Sequence, residues 1–222
     1  MKLDTRQLCL NAVLATTLAA GLSACAPLMI GGAVMTSFVA VDRRTAGAQL
    51  EDEGIEIRAA SRIDEHVGDR VHVKVTSYNR QVLLTGEVPS EQDKQLVEQV
   101  VSRVDNVRAI VNELAVLGQT TLTQRSSDAL VTGRVKSNLI DSPGLYSGAF
   151  KVVTERGTTY LMGRVTEREA DQATAIVRNT SGVQKVVRLF EMISEEELLR
   201  LMPPSSDVKK ERESAARAST TY

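Results

Sequence analysis

The chain has 222 residues, with 27 basic and 28 acidic side chains, and only 3% of its residues are aromatic. A protein that binds nucleic acid needs a basic surface, and one that binds single-stranded nucleic acid also needs aromatic rings on which the bases can stack. This composition provides neither, so we expect no nucleic-acid partner. The length is sufficient for one or two domains.

The start of the chain has the layout of a secretory signal peptide. A short positive head with Lys2 and Arg6 precedes an apolar run over residues 8–22. Such a run is shorter than the roughly 20 apolar residues that cross a bilayer. It ends in Leu-Ser-Ala-Cys at 22–25, which resembles the lipobox of bacterial lipoproteins. The alternative is an ordinary signal peptide in which the cysteine occurs by chance.

The lipobox resemblance implies a specific chemistry for Cys25. In such proteins the cysteine sulfur receives a diacylglyceryl group, the peptide is cut before the cysteine, and the new amino group is acylated, as with palmitate. A thiol is required because only a thiolate is sufficiently nucleophilic near neutral pH. We therefore predict that residues 1–24 are removed and that Cys25 becomes the lipidated first residue. Cys9 leaves with the signal peptide, which excludes an intramolecular disulfide.

Residues 25–48 are predicted to form the lipidated N-terminus and a flexible tether. They are rich in Gly, Ala and Thr, and their apolar residues do not follow the period of a helix or a strand. A flexible chain of this length spans about 25 to 30 Å, which keeps the folded part close to the bilayer. The apolar portion, residues 28–41, either lies along the lipid surface or is a linker with some hydrophobic residues.

Two segments of the remaining chain repeat one pattern. VLLTGEV (82–88) and TYLMGRV (159–165) both end in Gly, a charged residue and Val. Each is followed by a hydroxyl residue three positions before a carboxylate, which is typical of a capped helix start. The apolar positions that follow are spaced as on one face of a helix. They are Val97, Val100, Val101 and Val104 in the first copy and Ala173, Ile176, Val177 and Thr180 in the second.

The surrounding sequence completes each copy. β-rich runs flank Asn79-Arg80 and Arg156-Gly157, and these turn residues predict a hairpin in each copy. A helical stretch precedes each hairpin, and another β-rich run follows the capped helix. The predicted elements are a helix at about 51–67, strands at 71–78, 82–88 and 107–114, then a helix at about 126–141 and strands at 149–155, 159–165 and 183–190.

The element order α-β-β-α-β, found twice, predicts an α+β fold of two tandem sandwiches. Each is expected to be a three-stranded sheet with two helices on one face. A unit of about 65 to 70 residues is only marginally stable alone, so we expect the two to pack on each other. The predicted bounds are 49–117 for the first unit, 118–125 for a linker, 126–192 for the second unit, and 193–222 for a short helix followed by a disordered polar tail.

These units resemble the BON domain, whose pattern is two apolar residues, x-Gly-x-Val, a helix, and then Gly-Val-x-x-Val. The resemblance rests on LLTGEVPSEQDKQLVEQVVSRVDNVRAIVNEL and YLMGRVTEREADQATAIVRNTSGVQKVVRLF. One departure is Asn106, which replaces the glycine of the first Gly-Val pair. Asparagine tolerates the left-handed conformation, so this change does not threaten the fold.

With its lipobox, the segment DRRTAGAQLEDEG and the stretch VTEREA, the whole chain is similar to outer-membrane lipoproteins with two BON domains. The resemblance implies a non-enzymatic envelope protein that supports outer-membrane integrity, gathers at cell-division sites and binds anionic phospholipid through its second unit. It also implies attachment to the periplasmic face of the outer membrane through Cys25, since Ala26 rather than Asp follows. The alternative is a protein-interaction adaptor that docks an outer-membrane assembly machine or a regulator of a cell-wall hydrolase.

The residues show no catalytic constellation. The sequence contains neither Gly-x-Ser-x-Gly nor a glycine-rich loop ending in Gly-Lys-Ser/Thr. His66 and His72 are predicted to be solvated or capping, because a metal site needs three or four converging ligands. We therefore expect no enzyme activity, no catalytic or metal-binding residue, no cofactor and no small-molecule substrate.

The helix predicted at about 126–141 offers a candidate binding surface. Val131, Val135 and Leu139 share one face, which we assign to the core. The opposite side is apolar or small and is flanked by two cations, which suits the headgroup boundary of an anionic membrane. The predicted phospholipid-binding residues are Leu130, Gly133, Arg134, Lys136, Ser137 and Ile140.

Two alternatives bear on this surface. Leu130 and Ile140 either enter the acyl region of the membrane or pack against the first unit. The corresponding helix of the first unit has one apolar face, and its far side is predicted to be merely solvated. That far side carries Arg58, Ser61, Arg62 and Glu65.

Overall fold

The computed structural model describes residues 42–201, so Cys25, the predicted signal peptide and the tail beyond residue 201 lie outside the described residues. The helices are α1 (Ala46–Val67), α2 (Glu91–Ser102), α3 (Leu122–Ile140), α4 (Glu167–Arg178) and α5 (Glu195–Leu201). The strands are β1 (His72–Tyr78), β2 (Gln81–Val88), β3 (Ala109–Asn112), β4 (Ala115–Val116), β5 (Phe150–Glu155), β6 (Thr158–Val165) and β7 (Lys185–Met192). Within 42–201, no helix combines the length and the apolar character needed to cross a membrane.

Each copy of the repeat forms a small mixed sheet. In the first, β2 lies between antiparallel β1 and parallel β3, and the short β4 extends the parallel side. In the second, β6 lies between antiparallel β5 and parallel β7. This arrangement confirms the predicted α+β fold with α-β-β-α-β order in both units.

Both hairpins turn at the predicted residues. Tyr78 pairs with Gln81 and Glu155 pairs with Thr158, so each loop has two residues. Asn79-Arg80 and Arg156-Gly157 all have positive φ. A two-residue loop with positive φ at both positions matches the right-handed twist of the flanking strands.

The helices of each unit cover one face of its sheet. In the first unit, Ile55 and Ile63 of α1 and Val97 of α2 pack with Val82 and Leu84 of β2. In the second, a corresponding cluster joins α3, α4 and the inner face of the sheet. Its helix members are Val131, Val135, Leu139, Ala170, Ala173 and Val177. The predicted core faces of the helices are therefore confirmed.

The two sheets pack against each other through their other faces. Tyr78 and Leu83 of the first unit contact Val153, Tyr160 and Met162 of the second in a separate apolar cluster. This contact confirms the expectation that the units pack together. It also explains why β2 is buried at every position from 82 to 88 rather than alternating, because both faces of the strand are covered.

The repeated glycine has a steric cause. A Cβ atom on Gly86 would lie 2.0 Å from the backbone oxygen of His72, and one on Gly163 would lie 2.4 Å from that of Ala149. Either contact is far inside van der Waals distance, so only glycine lets the neighbouring strand approach this closely. The strand pairing of both hairpins therefore depends on this position.

Local capping signals also appear in the structure as predicted. Ser90 caps α2 by accepting from the Asp93 N–H, and Thr166 forms a capping box with Glu169 at the start of α4. Asn106 adopts a φ of 68°, the left-handed conformation expected of the residue that replaces glycine.

Two predicted boundaries are wrong. α1 begins at Ala46, so residues 42–48, predicted as tether, belong to the folded part; α3 begins at Leu122, ahead of its predicted start at about 126. The reason is the same at both sites. The side chains of Thr45 and Thr121 cap the helices, accepting from the N–H groups of Ala48 and Gln124.

Candidate functional site

The outward face of α3 is exposed. Leu130 is 63% and Ile140 is 65% accessible, whereas Val131, Val135 and Leu139 are buried. The alternative in which Leu130 and Ile140 pack against the first unit is therefore wrong. Large apolar side chains on the surface of a helix, away from any core, are candidates for contact with a membrane or a partner.

The other predicted members of this surface share its exposure. Gly133, Arg134, Lys136 and Ser137 are all exposed. Successive residues of a helix are rotated by about 100°, which places Arg134 about 40° beyond Leu130 on one side and Lys136 about 40° beyond Ile140 on the other. The two cations therefore border the apolar strip on opposite sides.

Leu122 extends this strip and was missed by the sequence analysis, which began the helix at 126. It is 79% exposed and lies at the same angle around the axis as Ile140. From Leu122 to Ile140 the strip is about 27 Å long at 1.5 Å per residue. The signal that predicts this extension is Thr121, which precedes an uninterrupted helical stretch.

A shallow hollow with a volume of about 220 Å³ adjoins the C-terminal end of the strip. Lys136 and Ile140 lie at its rim, and the apolar side chains of Phe150 and Val152 of β5 form its floor. Lys136 is exposed and Phe150 is buried, so the hollow combines a cationic rim with a hydrophobic floor. This combination fits an amphiphile with an anionic head.

On the outer face of α1, Arg58 and Arg62 are half-buried and donate to the backbone oxygens of Asp105 and Arg103, so these two residues are not merely solvated as predicted. The same face also carries two exposed apolar residues that the sequence analysis did not name. Leu50 is 71% and Ile57 is 65% exposed, and the two lie seven residues apart on one side of the helix. The exposed acids Glu53 and Asp64 lie within about 40° of Ile57 around the axis. An anionic surface would repel these carboxylates, and among the described residues of α1 no cation borders Ile57 as Arg134 and Lys136 border the strip of α3, although Asp141 is also exposed at the C-terminal end of that strip.

The segment before α1 is held by the second unit. Arg43, only 5% exposed, donates to Glu169 Oε1 at 2.6 Å and Oε2 at 2.8 Å, and to the backbone oxygen of Arg164 at 2.7 Å. Burial alone would raise the pKa of Glu169, but the Arg43 guanidinium and donors on Thr166 lower it below its ordinary value. Two stretches singled out in the sequence, DRRTAGAQLEDEG and VTEREA, thus meet in one buried ion pair.

An aspartate on the first helix of each unit fixes the hairpin turn. Asp52 accepts from the N–H groups of Asn79 and Arg80 at 2.7 Å, and Asp128 accepts from those of Arg156 and Gly157 at 2.9 and 3.0 Å. Burial alone would raise the pKa of Asp52, but these hydrogen bonds, together with others from side chains, lower it. These contacts are structural, and the sequence analysis missed both.

The histidines occupy different surroundings. His66 is exposed near the end of α1, with Nδ1 2.7 Å from the Arg62 backbone oxygen, as predicted for a solvated or capping residue. The prediction for His72 is wrong, because it is partly buried with Nδ1 3.1 Å from Oε2 of Glu87. Glu155 lies beside this pair, and burial, followed by the nearby charge of Glu87, raises its pKa. One imidazole and two carboxylates thus converge where the units meet.

Comparison with known protein families matches both copies of the repeat. The BON domain corresponds to residues 52–118 and 127–193, which together make up more than half of the chain. Two tandem BON domains thus define the class of protein, in agreement with the two sandwiches described above.

Two relatives cover most of the chain. It is 33% identical over 174 residues to the outer membrane lipoprotein DolP of Haemophilus influenzae, covering 78% of this chain and 90% of that protein. It is 30% identical over 155 residues to a 21 kDa hemolysin of Actinobacillus pleuropneumoniae, covering 69% and 80%. The solved C-terminal domain of CdsD from Chlamydia trachomatis is a remote match, with 13% identity, a TM-score of 0.27 and coverage of 60% and 96%. The chain belongs to the BON-domain family and is a DolP-like member of it.

Proposed function

We propose that this protein is a lipid-anchored outer-membrane protein of the periplasmic face, which supports envelope integrity without catalysis by resting α3 on anionic phospholipid. The name of its relative, outer membrane lipoprotein DolP, and the lipobox ending at Cys25 support the anchored part. The family resemblance extends the proposal to accumulation at division sites. The observation that supports the proposed lipid contact is the exposure of Leu130 and Ile140 between Arg134 and Lys136.

The energies favour a weak contact made effective by the anchor. Transfer of Leu130 and Ile140 into the acyl region contributes about 1 to 3 kcal/mol each. Arg134 and Lys136 contribute about 1 kcal/mol each beside an anionic surface. A tether raises the effective concentration of such a contact to the millimolar range, so weak intrinsic affinity suffices. The acyl chains on Cys25 hold the protein at the membrane, and α3 selects the lipid on which it rests.

The hollow beside Ile140 supports the same orientation. When the strip of α3 lies on the membrane, Lys136 reaches the phosphate layer while the apolar floor next to it faces the acyl boundary. The outer face of α1 lacks this charge pattern, because Glu53 and Asp64 adjoin its exposed apolar residues.

The test is co-sedimentation of residues 42–222 with vesicles of phosphatidylglycerol or of phosphatidylcholine. The fragment begins at Asp42 because Arg43 and Arg44 form ion pairs with Glu169 and Asp52 that a later start would remove. We expect binding to the anionic vesicles and a decrease in binding when salt is raised, since surface charges are screened. Binding to neither lipid would favour the adaptor function instead.

Substitutions locate the contact. Leu130→Glu and Ile140→Glu are each expected to reduce binding about tenfold or more, because a carboxylate must be dehydrated and is repelled by the headgroups. Ile57→Glu is a matched control, since Ile57 and Ile140 are both 65% exposed on first helices of their units. It should leave binding unchanged, and all three variants should keep their unfolding midpoint. Val135→Glu should unfold the second unit, because Val135 is fully buried.

Equal loss of binding in Ile57→Glu and Ile140→Glu would contradict the assignment to α3. Arg134→Ala combined with Lys136→Ala should weaken binding and reduce its salt dependence, because fewer charges then face the lipid.

A further inference from the structure

The cluster of His72, Glu87 and Glu155 is not used by the proposed lipid contact. His72 and Glu87 face each other across the β1–β2 pair of the first unit, and Glu155 ends β5 of the second. Their ligand atoms all lie within 4.8 Å of one another. The β1–β2 hairpin therefore pairs His72 with Glu87, and the packing of the two units adds Glu155, which is distant in the sequence.

Glu87 is the most unusual member of the cluster. Its side chain is fully buried, and Oε2 lies 3.1 Å from His72 Nδ1 while accepting from Thr120. Within residues 42–201, Oε1 has no hydrogen-bond donor, and Arg156 Nη1 lies 3.7 Å away from it. A buried carboxylate oxygen without a donor is costly unless another partner supplies positive charge.

The donor set matches a first-row divalent metal ion. Imidazole nitrogen and carboxylate oxygen bind Zn²⁺ at about 2.0 to 2.2 Å, so neighbouring ligands of a tetrahedral ion lie about 3.4 Å apart. The observed 3.1 Å separation between His72 Nδ1 and Glu87 Oε2 is close to this value. The ligand atom of Glu155 lies within 4.8 Å of the other two, so its side chain would have to move toward them to occupy the third position.

We propose that His72, Glu87 and Glu155 form a binding site for one divalent metal ion of the Zn²⁺ class, which links the two BON units. An open cleft of about 300 Å³ adjoins the site and is lined by His72 and Glu155, with Asp128 and the cations Lys74 and Arg125 also in its wall. Water from this cleft would complete the coordination of the ion. The ion would neutralise the repulsion between the two carboxylates, which the neighbouring cations Arg156 and Lys74 only partly offset. The proposal is independent of the lipid contact, because none of its ligands lies on the outer face of α3.

The test uses the full chain in detergent micelles and Zn²⁺ alone as the probe, with Mg²⁺ as the control ion. All samples carry Cys9→Ser and Cys25→Ser, so that thiols do not bind the metal. The chain has only two histidines, so the ring signals of ¹³C-labelled histidine report directly on the site. We expect one equivalent of Zn²⁺ to shift the His72 signals and leave those of His66 unchanged, and Mg²⁺ to shift neither.

Substitutions then identify the carboxylates. Glu155→Gln should weaken Zn²⁺ affinity at least about tenfold, since even the loss of a group that only supports a ligand weakens metal affinity about 10- to 100-fold. Glu167→Gln, at an exposed position on α4, should leave the affinity unchanged. The proposal is overturned if Zn²⁺ shifts neither histidine or both equally, or if Glu155→Gln binds as tightly as the parent chain that carries only the two cysteine substitutions. Should Glu155→Gln fail to fold, the response of the two histidines in the parent chain with the two cysteine substitutions still decides.

Discussion

The buried pair of Arg43 and Glu169 makes the sharpest prediction about stability. Their side chains are 3% and 1% exposed, and Arg43 donates to both carboxylate oxygens. Arg43→Met keeps most of the side-chain volume but leaves Glu169 as a buried charge without its cation. Removing one partner of such a pair costs about 3 to 5 kcal/mol. We expect a cost near the lower end of this range, because Thr166 still donates to the carboxylate.

The assay is urea unfolding of residues 42–222, with Arg43→Met, Glu169→Gln and the double variant forming a double-mutant cycle. The double variant should lose less stability than the sum of the losses in the two single variants, because neither charge is then left unpaired. Arg188→Met is the matched control, since Arg188 pairs with Asp171 at 3.0 Å with both side chains more than half exposed. A surface pair of this kind contributes about 0 to 1 kcal/mol. If Arg43→Met lowers the free energy of unfolding no more than Arg188→Met does, the reasoning from burial is refuted.

Two further predictions concern acid stability and anchoring. Because the pKa of Glu169 is lowered in the folded state, its contribution to stability is present above the ordinary value of 4.5 and is lost as pH falls through the folded-state pKa; unfolding midpoints measured from neutral to acidic pH should therefore fall less steeply in Glu169→Gln. Cys25→Ser should leave a larger precursor that is not anchored, because serine lacks the thiolate required for lipid transfer. Immunoblotting of membrane and soluble fractions checks this, and an unchanged mature band in the outer membrane would contradict the lipidation assignment.

The features that sequence analysis predicted correctly depend on residues close together in the chain. A two-residue turn, a helix cap and an apolar face repeat at spacings set by strand and helix geometry. Helix periodicity alone therefore assigns Val131, Val135 and Leu139 to the core, and Leu130 and Ile140 to the opposite face. The glycine at 86 and 163 is visible as a repeat, although its cause, contact with a neighbouring backbone oxygen, is not.

The incorrect boundaries also have a local explanation. The starts of α1 and α3 depend on single threonines, Thr45 and Thr121, in stretches rich in Gly, Thr and Gln that otherwise favour a linker. A hydroxyl side chain stabilises a helix start by only about 1 kcal/mol, which is easily overlooked against an unfavourable composition. The missed exposure of Leu122 follows directly from the late start assigned to α3.

Only the tertiary structure decided which distant residues meet. Arg43 is one of several charged residues in a polar segment, and Glu169 fits a capping box, so nothing local indicates that they form a buried pair. Glu155 likewise meets His72 and Glu87, which are already paired across the β1–β2 hairpin, only because the second unit packs on the first. Sequence periodicity specifies which side of an element is apolar, but contacts between units depend on how their surfaces fit together. The repeat and the candidate lipid-binding face were therefore determined by the sequence itself, whereas the buried ion pair and the candidate metal site were determined by the packing of one unit on the other.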